Sequence, residues 1–302
     1  MRGNVTLQAL AFGFAGVALF SALDAAIKQL GLTEHTFVVT FGRYLFALPF
    51  VATFWYRAGR PAITRDMWRA HALRGTIMAV AATLFFWSLT VVPLAEAITL
   101  SFLAPLIMPF LASAMLGERL RPASVAASVL GFAGAVVAVM GGSGAAAETG
   151  RDPQFYNLGI AALLVFSVAY AYSAILLRAR AGRDGSAIVG LLSTLIPGAI
   201  MAAPALAFGG APAAANLPLF VFVGMLGAVS TWLLTAAYAR AEAQVLAPLE
   251  FTALIWAAAF GYAFFNEVPR VEMWLGAAII VGACLWSGWT SARAQPAELG
   301  PV

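Results

Sequence analysis

Apolar residues run in blocks of about twenty, and the polar residues gather between the blocks, so each block is long enough to cross a bilayer as a helix at 1.5 Å per residue. The blocks fall near residues 5–29, 34–56, 70–91, 94–116 and 122–143, then near 156–177, 187–208, 217–239, 243–265 and 272–290. The runs are continuous rather than alternating over about ten residues, which excludes the strands of a membrane barrel. The predicted fold is all-α and integral to the membrane, with ten transmembrane helices. The first block follows Arg2 with no small-residue cleavage pattern and reads as an uncleaved span.

Between the fifth and sixth blocks lies GGSGAAAETGRDP, Gly141 to Pro153, a Gly/Ala-rich stretch of linker composition. It divides the chain into units at 5–143 and 156–290 joined by a flexible linker over 144–155. The two units share landmarks. An offset of 146 places Phe20-Ser21 on Phe166-Ser167 and Ala95-Glu96-Ala97 on Ala241-Glu242-Ala243. Offsets of 149 and 145 place Gly117-Glu118 on Asn266-Glu267 and Leu130-Gly131 on Leu275-Gly276. Four matches in chain order indicate a duplication. The drift in offset puts three extra residues in the ninth block, beside Pro248. Five crossings per unit force the second copy to enter from the opposite side, so the repeats have inverted topology.

Composition agrees with a bilayer as solvent. The chain of 302 residues is 62% hydrophobic and 10% charged, against about 25% charged in soluble domains. The arginines set the orientation. With the N-terminus inside, cytoplasmic segments hold Arg2, Arg57, Arg60, Arg65, Arg69, Arg119, Arg121, Arg178, Arg180, Arg183, Arg240 and Arg293, and the outer loops hold only Arg151 and Arg270. Both termini are therefore expected in the cytoplasm of a cell with this protein in its inner (plasma) membrane, Glu118 faces inward and Glu267 outward. The net positive charge needs no nucleic-acid partner. The lone Cys284 excludes an internal disulfide.

Ionisable groups at membrane depth need a partner, a wet cavity or a function. Asp24 and Lys28 share a helix face with Ser21, Arg43 lies about 13 Å into the second block, and Glu250 sits about seven residues into the ninth. Arg43 and Asp24 read either as substrate contacts or as a structural pair. Lys28, the one lysine, reads as a site residue or as a side chain snorkelling to the interface. His35 reads as interfacial. Glu250 is the candidate proton-coupling carboxylate. Polar stripes extend the candidate site: Thr76, Thr83, Trp87 and Thr90 in the third block, Gly227, Thr231, Thr235 and Tyr238 in the eighth, and Ser101 in the fourth. Ser167 and Tyr170 occupy the places of Ser21 and Asp24 in the second copy. The alternative for the Ser, Thr, Trp and Tyr positions is helix–helix bonding and the interfacial aromatic belt, Trp232 included. Ala127, Gly131 and Ala135 form a close-contact face for packing within the chain or, alternatively, for a dimer; a monomer is the preferred reading.

There is no Walker A loop, dinucleotide fingerprint or His-Glu-x-x-His, and the chain holds two histidines, so neither an enzyme nor a cofactor or metal site is expected. Inverted five-helix repeats suit a carrier with a midplane site and alternating access. The stretch PLAEAITLSFLAPLIMPFLASAMLGERLR, Pro93 to Arg121, resembles the EamA domain of the drug/metabolite transporter superfamily, and ARAEAQVLAPLEFTALIWAAAFGYAFFNEVPRVEMWLG, Ala239 to Gly276, looks like its second copy. Lys28 and Arg43 fall where that family has a first-helix lysine and a second-helix arginine; Asn266 departs from its usual glycine. The resemblance implies a secondary transporter of small metabolites. Within it, export of amino acids, aromatic ones included, is the expected activity, with Arg43 or Lys28 at the carboxylate. The alternative is import of a larger metabolite such as S-adenosylmethionine, riboflavin or a nucleotide-type compound.

Overall fold

The computed structural model describes residues 2–117, 120, 122–140, 142, 152–238 and 249–293. The linker residues 143–151, Glu118 and Pro248 lie outside the described residues, as do the side chains of Thr235 and Tyr238. The helices are α1 (Arg2–Gly31), α2 (Thr36–Arg57), α3 (Arg65–Val91), α4 (Leu94–Ser101), α5 (Leu103–Leu116), α6 (Pro122–Val139), α7 (Pro153–Asp184), α8 (Ser186–Pro204), α9 (Leu217–Tyr238), α10 (Ala253–Phe265) and α11 (Val271–Arg293). Eight stretches among them are long and apolar enough to cross a bilayer, one of these being α4 and α5 together, and α10 and α11 are shorter apolar helices. The ten predicted spans are thus accounted for, with two corrections.

First, several helices outrun their apolar blocks. The third begins at Arg65 rather than near 70, because Thr64 accepts a hydrogen bond from the Met67 amide at 3.3 Å and caps the turn. Second, the fourth span is not continuous. It breaks at Phe102, three residues before Pro105: proline has no N–H for the Ser101 carbonyl four residues back and its ring crowds that carbonyl. The Ser101 hydroxyl turns back onto the Ile98 carbonyl at 2.7 Å instead. The ninth span has a comparable interruption at Phe251-Thr252, where the Thr252 hydroxyl donates to the Leu249 carbonyl at 2.6 Å.

The packing obeys a pseudo-two-fold exchange. The repeat maps α1 on α7, α2 on α8, α3 on α9 and α6 on α11. Accordingly α1 packs on α9 and α7 on α3; α1 packs on α10 and α7 on α5; and α2 meets α8 and α6 meets α11 as self-matched pairs. The α6–α11 pair is the closest: Gly134 and Gly276 face each other, and a Cβ on Gly276 would run into the Gly134 carbonyl. Ala127, Gly131 and Ala135 are buried there, so this small-residue face serves packing within the chain. The core runs through α1, α3, α4, α5 and α7, with the rings of Phe85 and Phe166 4.7 Å apart and tilted by 33° across the α3–α7 contact.

The helix ends repeat too. α5 ends at Gly117 with φ +68°, and α10 ends at Asn266 with φ +53°. Asparagine is among the few residues other than glycine that enter this left-handed conformation readily, which explains how the second copy dispenses with the glycine.

Candidate functional site

The end of the bundle that carries Arg57, Arg60, Arg65, Arg69, Arg180 and Arg183 is the arginine-rich end; the other holds the α3–α4 and α10–α11 connections. The arginine-poor end is bolted shut between the repeats. Lys28, 2% exposed, donates to Glu267 Oε1 at 2.8 Å and to the Val92 carbonyl at 2.8 Å, and lies over the Phe265 ring. Glu267 Oε2 accepts from the Leu94 amide at 2.8 Å, the first turn of α4, where a helix N-terminus favours an anion. Beside it Arg270 donates to Glu96 at 2.7 Å and to the Met140 carbonyl, and the Tyr156 hydroxyl donates to Glu96 at 2.7 Å. Glu34 accepts from Asn216 at 2.6 Å across the α1–α2 and α8–α9 connections. Gly31 of α1 meets Thr90 of α3 so closely that a Cβ would stand 2.6 Å from the methyl.

The inverted counterpart of that α1–α3 closure is a meeting of α7 with α9 near the arginine-rich end. Among the described residues no comparable packing joins them. Polar ties there run along the α3–α7 flank: Asp66 with Arg180 and Arg183, and the buried His71 with Asp184 at 3.1 Å. Among the described residues, ties between the repeats at the arginine-poor end have no counterpart joining α7 to α9 at the other.

Toward the middle, side chains from five helices converge. Asp24 of α1 is half-buried and close enough to Arg43 of α2 for their charges to interact. The Arg43 guanidinium sits 5.0 Å from the Tyr44 ring and lies against Gly227 of α9, where a Cβ would be 3.6 Å from Nη2. Arg74 of α3 donates to Ser193 of α8 at 2.6 Å and feels Tyr44 and Tyr170. Tyr170 of α7 is 44% exposed, within 5.6 Å of Phe166, and near Glu250 at the break in the ninth span. Two opposed corners result: Asp24–Arg43–Gly227 and Tyr170–Arg74–Ser193.

Of the residues singled out in the sequence, Asp24, Arg43, Tyr170 and Glu250 are brought into this region. Thr231 is exposed one turn beyond Gly227, its hydroxyl on the Gly227 carbonyl at 2.7 Å. Ser101 marks the break in the fourth span. Thr83 ties α3 to Met201 of α8 at 3.2 Å; Trp87 is half-buried on α3, and Ser21 is buried on α1. Lys28 neither snorkels nor joins the corners; it is held in the bolt at the arginine-poor end. Arg74, Tyr44, Glu96, Tyr156 and the Arg270 bridge escaped the sequence reading.

A ten-span bundle of two inverted repeats, with broken helices and paired charges between them, defines a membrane carrier. The chain belongs to the EamA-like transporter family, whose model matches it twice, over residues 7–140 and 157–289. It is 33% identical to a riboflavin transporter of Rhizobium johnstonii over 94% of this chain and 91% of that one. It is 26% identical to an S-adenosylmethionine uptake transporter of Rickettsia prowazekii over 87% of this chain and 86% of that one. A solved crystal structure, 20% identical, shares the fold with a TM-score of 0.64 over 96% of this chain and 98% of that one.

Proposed function

We propose that this carrier takes up a fused heteroaromatic metabolite bearing a sugar or hydroxylated chain, of the riboflavin or S-adenosylmethionine kind, by alternating access between the repeats. The relatives favour this reading over amino-acid export. The observation that carries it is the pairing of tyrosines with arginines in the two opposed corners, Tyr44 with Arg43 and Tyr170 with Arg74, which offers the exposed Tyr170 ring to a flat heterocycle and fixed donors for its oxygens. Ser21, Asp24, Arg43, Thr83, Trp87, Ser101, Tyr170, Thr231, Thr235 and Tyr238 line the path in this account, with Lys28 as part of its closure. Glu250 is the proton-coupling carboxylate. The arginine-rich end faces the cytoplasm with both termini, the end held by Lys28 and Glu267 faces outward, and a single chain suffices.

The test is uptake into proteoliposomes of labelled riboflavin, S-adenosylmethionine and an amino-acid panel, with and without a pH gradient. Saturable uptake of either heterocycle supports the reading. Flux of amino acids alone overturns it, and equal initial rates in both conditions remove Glu250 from coupling.

A further inference from the structure

We propose that Arg74 receives an anionic group, a carboxylate or a phosphate, carried by the transported metabolite. The inference rests on the carrier reading above and deepens it, because neither the relatives' names nor the family assigns this residue.

Arg74 stands nine residues into α3 from Arg65, about 13 Å along the helix axis and inside the apolar block that begins near residue 70. An arginine at that depth is costly to insert unless its charge is answered. Its neighbours do not answer it. Nη1 donates to the Ser193 hydroxyl, Nε is buried with no hydrogen-bond partner, and the groups that act on it electrically are the neutral phenols of Tyr44 and Tyr170. The acid nearest along α7, Asp184, has its Oδ2 on His71. Among the described residues no carboxylate opposes Arg74.

The two corners differ in what answers the arginine. Arg43, in the other corner, has Asp24 beside it. The position equivalent to Asp24 in the second copy is Tyr170, which faces Arg74. Where one corner is neutralised by the protein, the other keeps a guanidinium with Nη1 on Ser193 and Nη2 placed to donate to an anion's oxygen. The arginine-rich end, with its other arginines, draws an anion toward it.

Binding to the purified protein in nanodiscs tests this with two matched pairs: riboflavin against riboflavin 5′-phosphate, and S-adenosylmethionine against its decarboxylated analogue. The acid-bearing member of at least one pair is expected to bind about tenfold or more tighter, and that pair identifies the anion as phosphate or carboxylate. Arg74→Gln should erase the gap, lowering the affinity of the acid-bearing member about tenfold more than that of its partner compound. Arg74→Lys, which keeps a point charge without the fork, should retain part of it. Equal affinities within both pairs in the wild type, or equal losses for both members in Arg74→Gln at unchanged thermal stability, overturn the role of Arg74 and leave the carrier reading standing. Failure of all four compounds to bind overturns both.

Discussion

Phe102 and Phe251 meet edge to face, ring centroids 5.1 Å apart at 73°, and each stands at the break of its span. They are equivalent residues, 149 apart, like Glu118 and Glu267. A residue that touches its own copy marks the pseudo-two-fold axis, so the two broken helices cross where the repeats must move against each other. Unwound backbone at membrane depth is tolerated only inside protein or against a wet cavity, which is where these breaks lie.

Healing the break in the fourth span should therefore slow the carrier without unfolding it. Pro105→Ala restores the N–H that Ser101 lacks, and an uninterrupted helix gains stability from the bond. The expected outcome is an unchanged or higher melting temperature with the maximal uptake rate down about tenfold, or about 1.4 kcal/mol in barrier. A variant transporting at full rate would show that the break is not part of the motion.

The Lys28–Glu267 bridge is buried on both sides, and removing one partner of such a pair costs about 3–5 kcal/mol, more than removing both. Lys28→Met should lower the melting temperature more than the double variant Lys28→Met/Glu267→Gln. If the double variant is the less stable, the two side chains are not each other's principal compensation in this end of the bundle.

The α6–α11 contact leaves no room for a side chain at Gly276, because the obstacle is the Gly134 backbone rather than a side chain that can turn away. Gly276→Leu should destabilise by about 2 kcal/mol or more. Gly282, on the same helix with nothing within 4 Å of its Cβ position, is the control: Gly282→Ala should stay within about 0.5 kcal/mol. Thermal unfolding in detergent compares them directly.

Arg43→Ala removes the guanidinium that lines one corner and leaves Asp24 facing the same space. Uptake should fall about a hundredfold, and Arg43→Gln combined with Asp24→Asn should recover part of it by removing the stranded charge. Full uptake by a well-folded Arg43→Ala protein would reduce the arginine to a structural pair.

Much of this was written in the order of residues. Ten apolar blocks, the offset of 146 to 149 and the arginine bias gave the bundle and its inversion, because a bilayer forces length and polarity to agree. Asp24 and Arg43 stood out as charges inside apolar blocks. Arg74 was passed over although it lies inside the block that starts near 70, because Arg65 and Arg69 just before it mark the cytoplasmic end of that span; its place four residues into an apolar run was the signal available. The bolt at the arginine-poor end was illegible for another reason. Lys28 and Glu267 belong to different repeats, and no local pattern tells a lysine near a helix end that its partner is a carboxylate far along the chain. Pro105 announced the break at Phe102 but lay in a block whose hydrophobicity read as unbroken.

The whole account requires the arginine-poor end to open. Gly31 and Thr90 bring α1 and α3 together there, and replacing both with cysteine, in a protein whose Cys284 has been changed to alanine, places two thiols within disulfide reach. Uptake by proteoliposomes should drop to background once the pair is oxidised and return on reduction. Undiminished uptake with the cross-link verified as complete would mean that substrate passes without α1 and α3 parting at that end, and alternating access through the arginine-poor end would be wrong.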